Sequence, residues 1–292
     1  MSAPLFIPLP GNEVMAARLA ALCGGETSVL ELSAFPDGES HLRFLNDLKD
    51  RSIVLVCTLA HPNDKFLPLS FAADGARDLG ARKVGLVAPY LCYMRQDRRF
   101  QPGEAVTSRS FASLLSHGFD WLVTVDPHLH RYKALSEIYS IAARTLHAGP
   151  ALSGWIGAHV EKPFLIGPDE ESRQWVAAVA KDCGADFTVL SKQRLGDNDV
   201  RISAMDLHVP QGSRPVFLDD IVSSGVTMRE AVRLVATDTR PVALAVHGVM
   251  NTATAERIAD SGARLVTTNT VPNPAAAIDV SGLIAAGIAD LV

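Results

Sequence analysis

The sequence contains few cysteines, and they lie far apart. Cys23, Cys57, Cys92 and Cys183 form no CxxC pair and no cluster, so neither a zinc-binding module nor a disulfide framework is expected. Cys57 ends an apolar run and is interpreted as a small core residue rather than a nucleophile. We therefore predict reduced thiols with no part in catalysis.

The sequence also lacks long apolar runs, a secretory leader and an excess of positive charge. Its longest apolar stretches, such as 53–57 and 242–246, are much shorter than the roughly 18 residues needed to span a bilayer. Segment 1–11 has no basic region before its apolar residues, which favours a cytoplasmic location. With 27 Lys and Arg against 32 Asp and Glu, the net charge is −5, so neither nucleic acid nor a membrane surface is an expected partner. Any polyanion must be bound by a local group of donors.

The chain does contain enough apolar residues, 48% of 292, for one large domain or two ordinary ones. Short β-branched runs alternate with longer segments whose apolar residues recur three and four positions apart. Because the strand runs are continuously apolar, they predict mostly parallel sheets flanked by helices, an α/β fold. Strands are predicted at 5–8, 53–57, 83–88, 121–126, 164–167, 188–191, 216–220, 242–249 and 264–268. Helices are predicted at 12–22, 67–79, 108–116, 171–183, 227–237 and 253–261, with one more after Pro274.

Two domains of similar size are expected. Segment 147–157 is rich in Gly, Pro and Ala and precedes a fresh strand, which is typical of a boundary. Segments 122–128 and 216–221 are both predicted as apolar strands that end in an acidic residue. This weak internal similarity fits two related domains. The predicted domains are 1–147 and 148–292.

Segment 216–227, VFLDDIVSSGVT, is the most informative for function. An apolar strand ends in Asp219 and Asp220, and a turn rich in hydroxyl groups leads into a helix. Backbone N–H groups at a helix N-terminus bind phosphate, and paired carboxylates accept hydrogen bonds from vicinal sugar hydroxyls or hold a divalent cation. A sugar phosphate accounts for both features, whereas the simpler alternative is an acid pair at a strand end with capping by Ser224.

Two further segments have weaker signals. Segment 89–99, PYLCYMRQDRR, places Arg95, Arg98 and Arg99 around Gln96 and Asp97, which suits a polyphosphate. The alternative is a solvated basic face. The FPDGE segment at 35–39 is a turn by its Pro-Asp-Gly core, and nothing in it alone indicates more.

Residues after three other predicted strands are candidates for metal binding or charge stabilisation. His128 and Asp169 could each give one ligand to a magnesium ion that keeps water and substrate phosphates as its other ligands, although His is not a favoured ligand and each could be a cap or loop residue. Lys192 and Arg194 precede a polar segment that could act as a lid, whose cations would neutralise charge on a transferred group only when closed.

Taken together and in this order, FPDGE, PYLCYMRQDRR, VDPH, GPDEE, SKQR and LDDIVSSGVT resemble the ribose-phosphate pyrophosphokinase family, the phosphoribosyl pyrophosphate (PRPP) synthases. The resemblance extends from Phe35 to Thr270, and the ordered set is more specific than any one motif. It implies two phosphoribosyltransferase-like domains in one subunit. It also implies transfer of the β,γ-diphosphoryl group of MgATP to the anomeric hydroxyl of ribose 5-phosphate, with release of AMP.

The resemblance assigns a role to each candidate residue by position. An adenine-binding loop that reaches a neighbouring subunit of a homo-oligomer matches Phe35, Asp37 and Glu39. The nucleotide-binding segment matches Arg95, Gln96 and Asp97, and the positions associated with Mg²⁺ match His128 and Asp169. The catalytic pair matches Lys192 and Arg194. The acids that hold the ribose hydroxyls match Asp219 and Asp220, and the 5-phosphate loop matches Ser223, Ser224, Gly225, Val226 and Thr227.

The chain departs from the family pattern in three respects. Val226 replaces a Gly of the phosphate loop, and because a β-branched residue resists positive φ we predict that it adopts a first-turn helical conformation. Pro36 replaces a common Ser, which should stiffen the 35–39 turn. The chain is also of the compact type, so neither hexamer assembly nor allostery follows from the resemblance.

Three other functions are compatible with parts of the pattern. A phosphoribosyltransferase would share the acid pair and phosphate loop, but it leaves Arg95 and His128 without a task. A kinase or diphosphokinase acting on another pentose phosphate is kept open by Val226. A catalytically silent regulatory homologue would not need the cations Lys192 and Arg194.

Overall fold

The computed structural model describes residues 2–194, 200–203, 209–235 and 238–292, with backbone alone at 171, 191–194 and 200–203. The chain divides into two compact units. The first consists of Met1–His147 together with Ser281–Val292, and the second is Ala148–Val280. The domain boundary expected after 147 therefore coincides with a division between units, but Ser281–Val292 groups with the first unit instead of the second.

The first unit is built on a six-stranded parallel sheet of order β2-β1-β5-β6-β7-β8. Its strands are β1 (Leu5–Pro8), β2 (Glu26–Thr27), β5 (Ser52–Val56), β6 (Lys83–Ala88), β7 (Trp121–Val125) and β8 (Ala142–Leu146), and β3 (Leu30–Ala34) pairs with β4 (Ser40–Phe44) as a separate antiparallel hairpin. Its helices are α1 (Glu13–Cys23), α2 (Asn63–Asp78), α3 (Thr107–Gly118) and α8 (Ser281–Ile288), with a 3₁₀ helix at Leu135–Glu137.

The second unit is built on another six-stranded parallel sheet, of order β10-β9-β13-β14-β15-β16. Its strands are β9 (Pro163–Gly167), β10 (Asp186–Val189), β13 (Arg214–Val222), β14 (Val242–Gly248), β15 (Arg264–Thr268) and β16 (Ala276–Ile278), and β11 (Ser191–Arg194) pairs antiparallel with β12 (Val200–Ser203). Its helices are α4 (Gly149–His159), α5 (Arg173–Cys183), α6 (Val226–Leu234) and α7 (Thr252–Asp260), with a 3₁₀ helix at Glu170–Ser172.

These strands form because their side chains are apolar on both faces. Every residue of β5, β7 and β14 is buried, as expected for a parallel sheet covered on both sides. Gly85 of β6 lies opposite Trp121 of β7, and a Cβ there would be 1.9 Å from the indole ring. The glycine thus makes room for a large core side chain. The α/β fold with two mostly parallel sheets is confirmed.

The topology places a switch point in each sheet, and such points form crevices at the carboxyl ends of the strands. In the first sheet the chain turns to opposite sides of β1, toward β2 and then β5. In the second it turns to opposite sides of β9, toward β10 and then β13. Residues that follow β9 and β13 therefore lie at the place where open α/β sheets bind ligands.

The sequence missed several elements, for local reasons. Segment 147–157 is not a linker: most of it belongs to α4, whose first-turn Pro150 and small residues are compatible with a helix buried on one side. The strands β3 and β4 alternate between exposed and half-buried residues, so they lack the continuous apolar signal. The strand β8 contains Arg144 and no buried residue.

All four cysteines are free thiols, and Cys57 is fully buried. Burial raises the pKa of the Cys57 thiol to about 12, which keeps it protonated and unreactive at neutral pH. Among the described residues, no helix has both the length and the apolar character needed to cross a membrane.

Candidate functional site

The turn between β13 and α6 combines two acids with a helix N-terminus. The ladder between β13 and β9 ends at Phe217, whereas the ladder with β14 continues to Val222. Asp219 and Asp220 therefore occupy the part of β13 that extends beyond β9. Both acids are half-buried, and Asp219 Oδ1 accepts a hydrogen bond from the Asp220 backbone N–H at 2.9 Å. This contact holds the Asp219 carboxylate against the backbone of the next residue.

Gly225 begins α6 with a left-handed conformation. Its φ is +70°, it occupies the N-cap position, and its carbonyl accepts the Arg229 N–H at 3.0 Å. Val226 is the first residue of the helix, so the predicted first-turn helical conformation is confirmed. The N-cap residue is Gly225, so the alternative interpretation of Ser224 as the capping residue is wrong. The backbone N–H groups in the first turn of a helix have no acceptor within the helix, so those of α6 are suitable donors to an anion.

Gly225 is also required by packing. A Cβ at this position would lie 2.9 Å from Thr254 Cγ2 and 3.0 Å from Ile258 Cδ1, both in α7. The turn is therefore pressed against a neighbouring helix, and its conformation is fixed from two sides. Ser223 and Thr227 are half-buried in the same turn, where their hydroxyl groups add donors.

Asp169 lies at the same edge of the second sheet, directly after β9. Its Oδ1 accepts the Ser172 N–H at 3.2 Å, and its carbonyl accepts the Ser172 hydroxyl at 2.6 Å, so it caps the 3₁₀ helix. The capping alternative that the sequence left open is thus observed. A carboxylate has about four lone-pair positions, so capping is compatible with a metal contact. The second unit therefore places Asp169 at the edge that carries Asp219, Asp220 and 223–227.

Arg95, Gln96 and Asp97 follow β6 in the first unit, and their side chains have different surroundings. Arg95 is exposed, with Arg98 and Arg99 nearby in the sequence also exposed. Gln96 is half-buried and donates from Nε2 to Glu104 Oε2 at 3.2 Å. Asp97 is buried, with its side chain 1% exposed, and it accepts hydrogen bonds from Arg131 Nη1 at 2.8 and 3.0 Å.

Glu104 closes the segment 96–104 into a compact loop. Its Oε2 accepts the backbone N–H groups of Phe100 at 2.7 Å and Gln101 at 3.2 Å, and its carbonyl accepts Arg99 Nε at 2.9 Å. The guanidinium of Arg98 stacks over the Phe100 ring at 5.0 Å. The exposed arginines thus project from a loop whose backbone is held by one carboxylate.

His128 follows β7, the next strand of the first sheet. Its ring is half-buried and stacks on His130, with ring centroids 5.7 Å apart. Two residues before it, Asp126 has a φ of +32°, and its Oδ1 accepts a hydrogen bond from His147 Nδ1–H at 2.9 Å. The partner carboxylate raises the pKa of His147. The loop that carries His128 is therefore anchored at its start by a charge-dependent contact.

Phe35, Asp37 and Glu39 lie at the tip of the β3–β4 hairpin. The Gly38 N–H donates to the Phe35 carbonyl at 2.8 Å, and Asp37 Oδ1 accepts the Glu39 N–H at 3.1 Å. The predicted turn is confirmed. The Phe35 side chain is 52% exposed and contacts His41 edge-on. The tip thus presents an aromatic ring to its surroundings.

The pair expected to be catalytic, Lys192 and Arg194, is described by its backbone alone. Lys192 and Arg194 have backbone positions in β11, two residues apart. The segment expected to act as a lid, 196–199, lies outside the described residues.

Sequence reasoning missed four residues that hold these loops: Glu104, Arg131, Tyr132 and His147. Each is a polar residue in a loop or at a strand end, without a motif of its own. The one available signal was the proximity of Arg131 to His128 in the sequence. The partners of Arg131, Tyr132 and His147 are distant in sequence, so only the folded chain identifies them. The partners of Glu104 are close in sequence, but no motif marks them.

Candidate metal ligands are sparse in the described part of the chain. Among the described residues, no group of three or more His, Cys, Asp and Glu side chains could hold a metal ion. Mg²⁺ fits such a site, because it commonly takes one or two protein carboxylates and completes its shell with water and phosphate oxygens. Asp169 has the carboxylate oxygens that Mg²⁺ prefers, whereas the imidazole of His128 is a less favoured type of ligand.

The fold and site define a protein built from two parallel-sheet units of the phosphoribosyltransferase type. Residues 6–118 match a family model for the N-terminal domain of ribose phosphate pyrophosphokinase, and residues 135–246 match a model for the phosphoribosyl transferase domain. The chain is similar in fold to a solved phosphoribosylpyrophosphate synthetase from Mycobacterium smegmatis, with a TM-score of 0.83 over 99% of this chain and 98% of that one at 23% identity.

Curated relatives cover nearly the whole chain. It is 34% identical to a ribose-phosphate pyrophosphokinase from Methanopyrus kandleri over 94% of both chains. It is 31% identical to one from Sulfolobus acidocaldarius, over 90% of this chain and 91% of the relative. The chain therefore belongs to the ribose-phosphate pyrophosphokinase family and is a diphosphotransferase.

Proposed function

We propose that this enzyme transfers the β,γ-diphosphoryl group of MgATP to the anomeric hydroxyl of D-ribose 5-phosphate, giving PRPP and AMP for nucleotide biosynthesis. The observation that carries the proposal is the turn after β13. It combines Asp219 and Asp220 with the N-terminus of α6 at the switch point of the second sheet. A ribose phosphate carries both groups that such a turn can recognise.

The sugar phosphate is assigned to the second unit. Asp219 and Asp220 accept hydrogen bonds from the 2- and 3-hydroxyls, which a carboxylate pair can do without a proton of its own. The 5-phosphate is bound by backbone N–H groups of the turn, with donors from Ser223, Ser224 and Thr227 and close approach at Gly225 and Val226. With the 2- and 3-hydroxyls and the 5-phosphate bound, the reacting hydroxyl on C1 is held in a defined position.

The nucleotide is assigned to the first unit. Arg95 presents an exposed guanidinium to the phosphates, and Gln96 and Asp97 belong to the segment that positions it. Phe35, Asp37 and Glu39 bind adenine, with Phe35 providing an apolar face for the base. Because these three residues lie at the tip of a hairpin, we assign them to the nucleotide of a neighbouring subunit in a homo-oligomer.

Mg²⁺ accompanies ATP, with Asp169 and His128 as its protein ligands. When bound, the ion neutralises phosphate charge and polarises the phosphorus under attack. Lys192 and Arg194 stabilise the charge that develops on the transferred group, which is the main task in a reaction governed by positioning and electrostatics. The chemistry requires no covalent nucleophile on the protein, in keeping with the raised pKa of Cys57.

A coupled assay for AMP and PRPP from ATP and ribose 5-phosphate tests the proposal. We expect the two products in equal amounts, with turnover lost when Mg²⁺ is chelated and absent with ribose 1-phosphate. Formation of ADP instead of AMP would indicate a simple kinase. ATP binding without turnover would indicate a silent homologue.

A further inference from the structure

We propose that Arg131 is a positioning residue that sets the nucleotide-binding segment 95–99 against the loop that carries His128. The inference rests on the proposed function, because it assigns a nucleotide to that segment. It starts from Asp97, whose carboxylate side chain is only 1% exposed. The arginines on either side of it in the sequence, Arg95 and Arg98, are exposed. A buried carboxylate requires a partner, since desolvation would otherwise protonate it or unfold its surroundings.

Arg131 is that partner. Its Nη1 lies 2.8 Å from Asp97 Oδ1 and 3.0 Å from Oδ2, while the Arg131 side chain remains 36% exposed. The pair joins residues that are far apart in sequence and follow adjacent strands, β6 and β7. Both Asp97 oxygens contact Arg131 and the side chain is buried, so this carboxylate is not exposed to a nucleotide. Asp97 is therefore assigned to anchoring the segment, and Arg95 to contacting the nucleotide.

The residue after Arg131 holds the same point from the backbone side. Tyr132 Oη donates to the Asp97 carbonyl at 3.1 Å and lies 3.3 Å from Ser108 Oγ. The guanidinium of Arg131 also stacks over the Phe100 ring at 5.5 Å. Arg131 and Tyr132 thus fix the side chain, the carbonyl and the following turn of one short segment.

The consequence concerns geometry near the substrate. His128 lies three residues before Arg131, so the ion pair ties the proposed metal-associated loop to the proposed phosphate-binding loop. Without it, Asp97 would be left as an uncompensated buried charge, and segment 95–99 would shift to hydrate it. The affinity for MgATP would therefore decrease, whereas the affinity for ribose 5-phosphate would not, because the residues proposed to bind ribose 5-phosphate belong to the other unit.

The test compares Arg131→Met with Arg77→Met, a matched control. Arg77 pairs with Asp120 at 3.2 Å, its side chain is also 36% exposed, and neither residue has a role in the proposed site. Isothermal titration with MgATP alone and with ribose 5-phosphate alone gives the two Kd values. For Arg131→Met we expect the MgATP Kd to rise about 10- to 100-fold, in keeping with a buried acid that loses its partner. We expect the ribose 5-phosphate Kd to change less than twofold.

Two further results distinguish positioning from general stability. Amide hydrogen exchange at 95–104 should be faster in Arg131→Met than in Arg77→Met, and Arg131→Lys should recover most of the MgATP affinity. If Arg131→Met does not fold, the double variant Arg131→Met, Asp97→Asn removes both charges. Its MgATP Kd should still exceed the wild-type value, because the contact between the two loops is missing. Unchanged MgATP affinity in the folded variants, or an equal loss for both ligands, would overturn the proposal. A wild type that binds MgATP but forms no PRPP would overturn the proposed function and leave the Kd comparison valid.

Discussion

Gly225 shows how one residue can be fixed by both backbone and packing. Its φ of +70° belongs to the left-handed region, and its Cβ position is blocked by Thr254 and Ile258. Gly212 is a natural comparison, because its φ is +76° but no atom lies within 4 Å of a Cβ built there. The two glycines separate conformational strain from steric contact.

We predict that Gly225→Ala weakens ribose 5-phosphate binding, whereas Gly212→Ala does not. Both substitutions should cost about 1–2 kcal/mol of stability through the left-handed conformation. Only Gly225→Ala must also displace the turn from α7, which moves the N–H groups proposed to bind the phosphate. Titration of both variants with ribose 5-phosphate checks this prediction. Equal affinities for the two variants would remove Gly225 from the phosphate site.

The pair of His147 and Asp126 makes stability depend on pH. The Asp126 carboxylate raises the pKa of His147 above its ordinary value of 6.5. A raised pKa in the folded state contributes stability that is fully present below the unfolded pKa and is lost as pH rises through the folded pKa. The contribution is therefore greatest below about pH 6.5 and declines above it.

We predict that His147→Gln destabilises the protein most at low pH. Gln keeps a hydrogen-bond donor but cannot be protonated, so its difference from wild type isolates the charge. Urea unfolding at pH 5.5, 6.5, 7.5 and 8.5 should show a difference in unfolding free energy that shrinks as pH rises. A difference that is constant with pH would show that the contact does not involve the charged imidazole.

At the scale of elements, loops after parallel strands carry the site, and short polar contacts determine their shapes. The loop after β6 is closed by Glu104 and anchored through Asp97, and the loop after β9 is capped by Asp169 itself. The turn after β13 instead depends on a helix N-terminus and a tightly packed glycine. Loops at equivalent places in the two sheets are therefore stabilised by three different kinds of contact.

The helix α8 is the element that sequence order misplaces. It follows the second unit along the chain but belongs to the first. Arg144 of β8 donates to Asp290 Oδ1 at 2.7 Å and Oδ2 at 2.9 Å, and Lys83 Nζ donates to the Leu291 carbonyl at 2.7 Å. In addition, Gly287 of α8 packs closely against Leu146 of β8.

We predict that Gly287→Val destabilises the protein and that Gly282→Ala does not. A Cβ at Gly287 would be 2.7 Å from Leu146 Cδ1 and Cδ2, whereas nothing lies within 4 Å of one at Gly282 in the same helix. Overpacking of this kind costs about 1–3 kcal/mol. Calorimetry of both variants should show a lower Tm only for Gly287→Val. An unchanged Tm would mean that α8 can move away from β8 without loss.

At the scale of the whole molecule, the chain runs through two units in the order first, second, first. It leaves the first unit after His147 and returns at Ser281. Along the chain, the second unit is thus inserted into the first. The two sheets nevertheless have the same order of strands relative to their switch points, as expected for related halves.

The sequence alone determined the fold class, the acid pair at Asp219 and Asp220 and the helical conformation of Val226. Continuous apolar runs indicate buried parallel strands, and the constraints on a β-branched residue are local, so both follow from neighbouring residues. It did not determine α4, β8 or the hairpin β3–β4, whose burial is partial and whose patterns are weak.

Only the tertiary structure decided that Asp97 is buried against Arg131 and that Ser281–Val292 belongs to the first unit. Both results depend on contacts between residues far apart in sequence. Whether a carboxylate faces solvent or an arginine, and which sheet a terminal helix covers, is set by the packing of the entire unit. No local pattern of side chains contains that information.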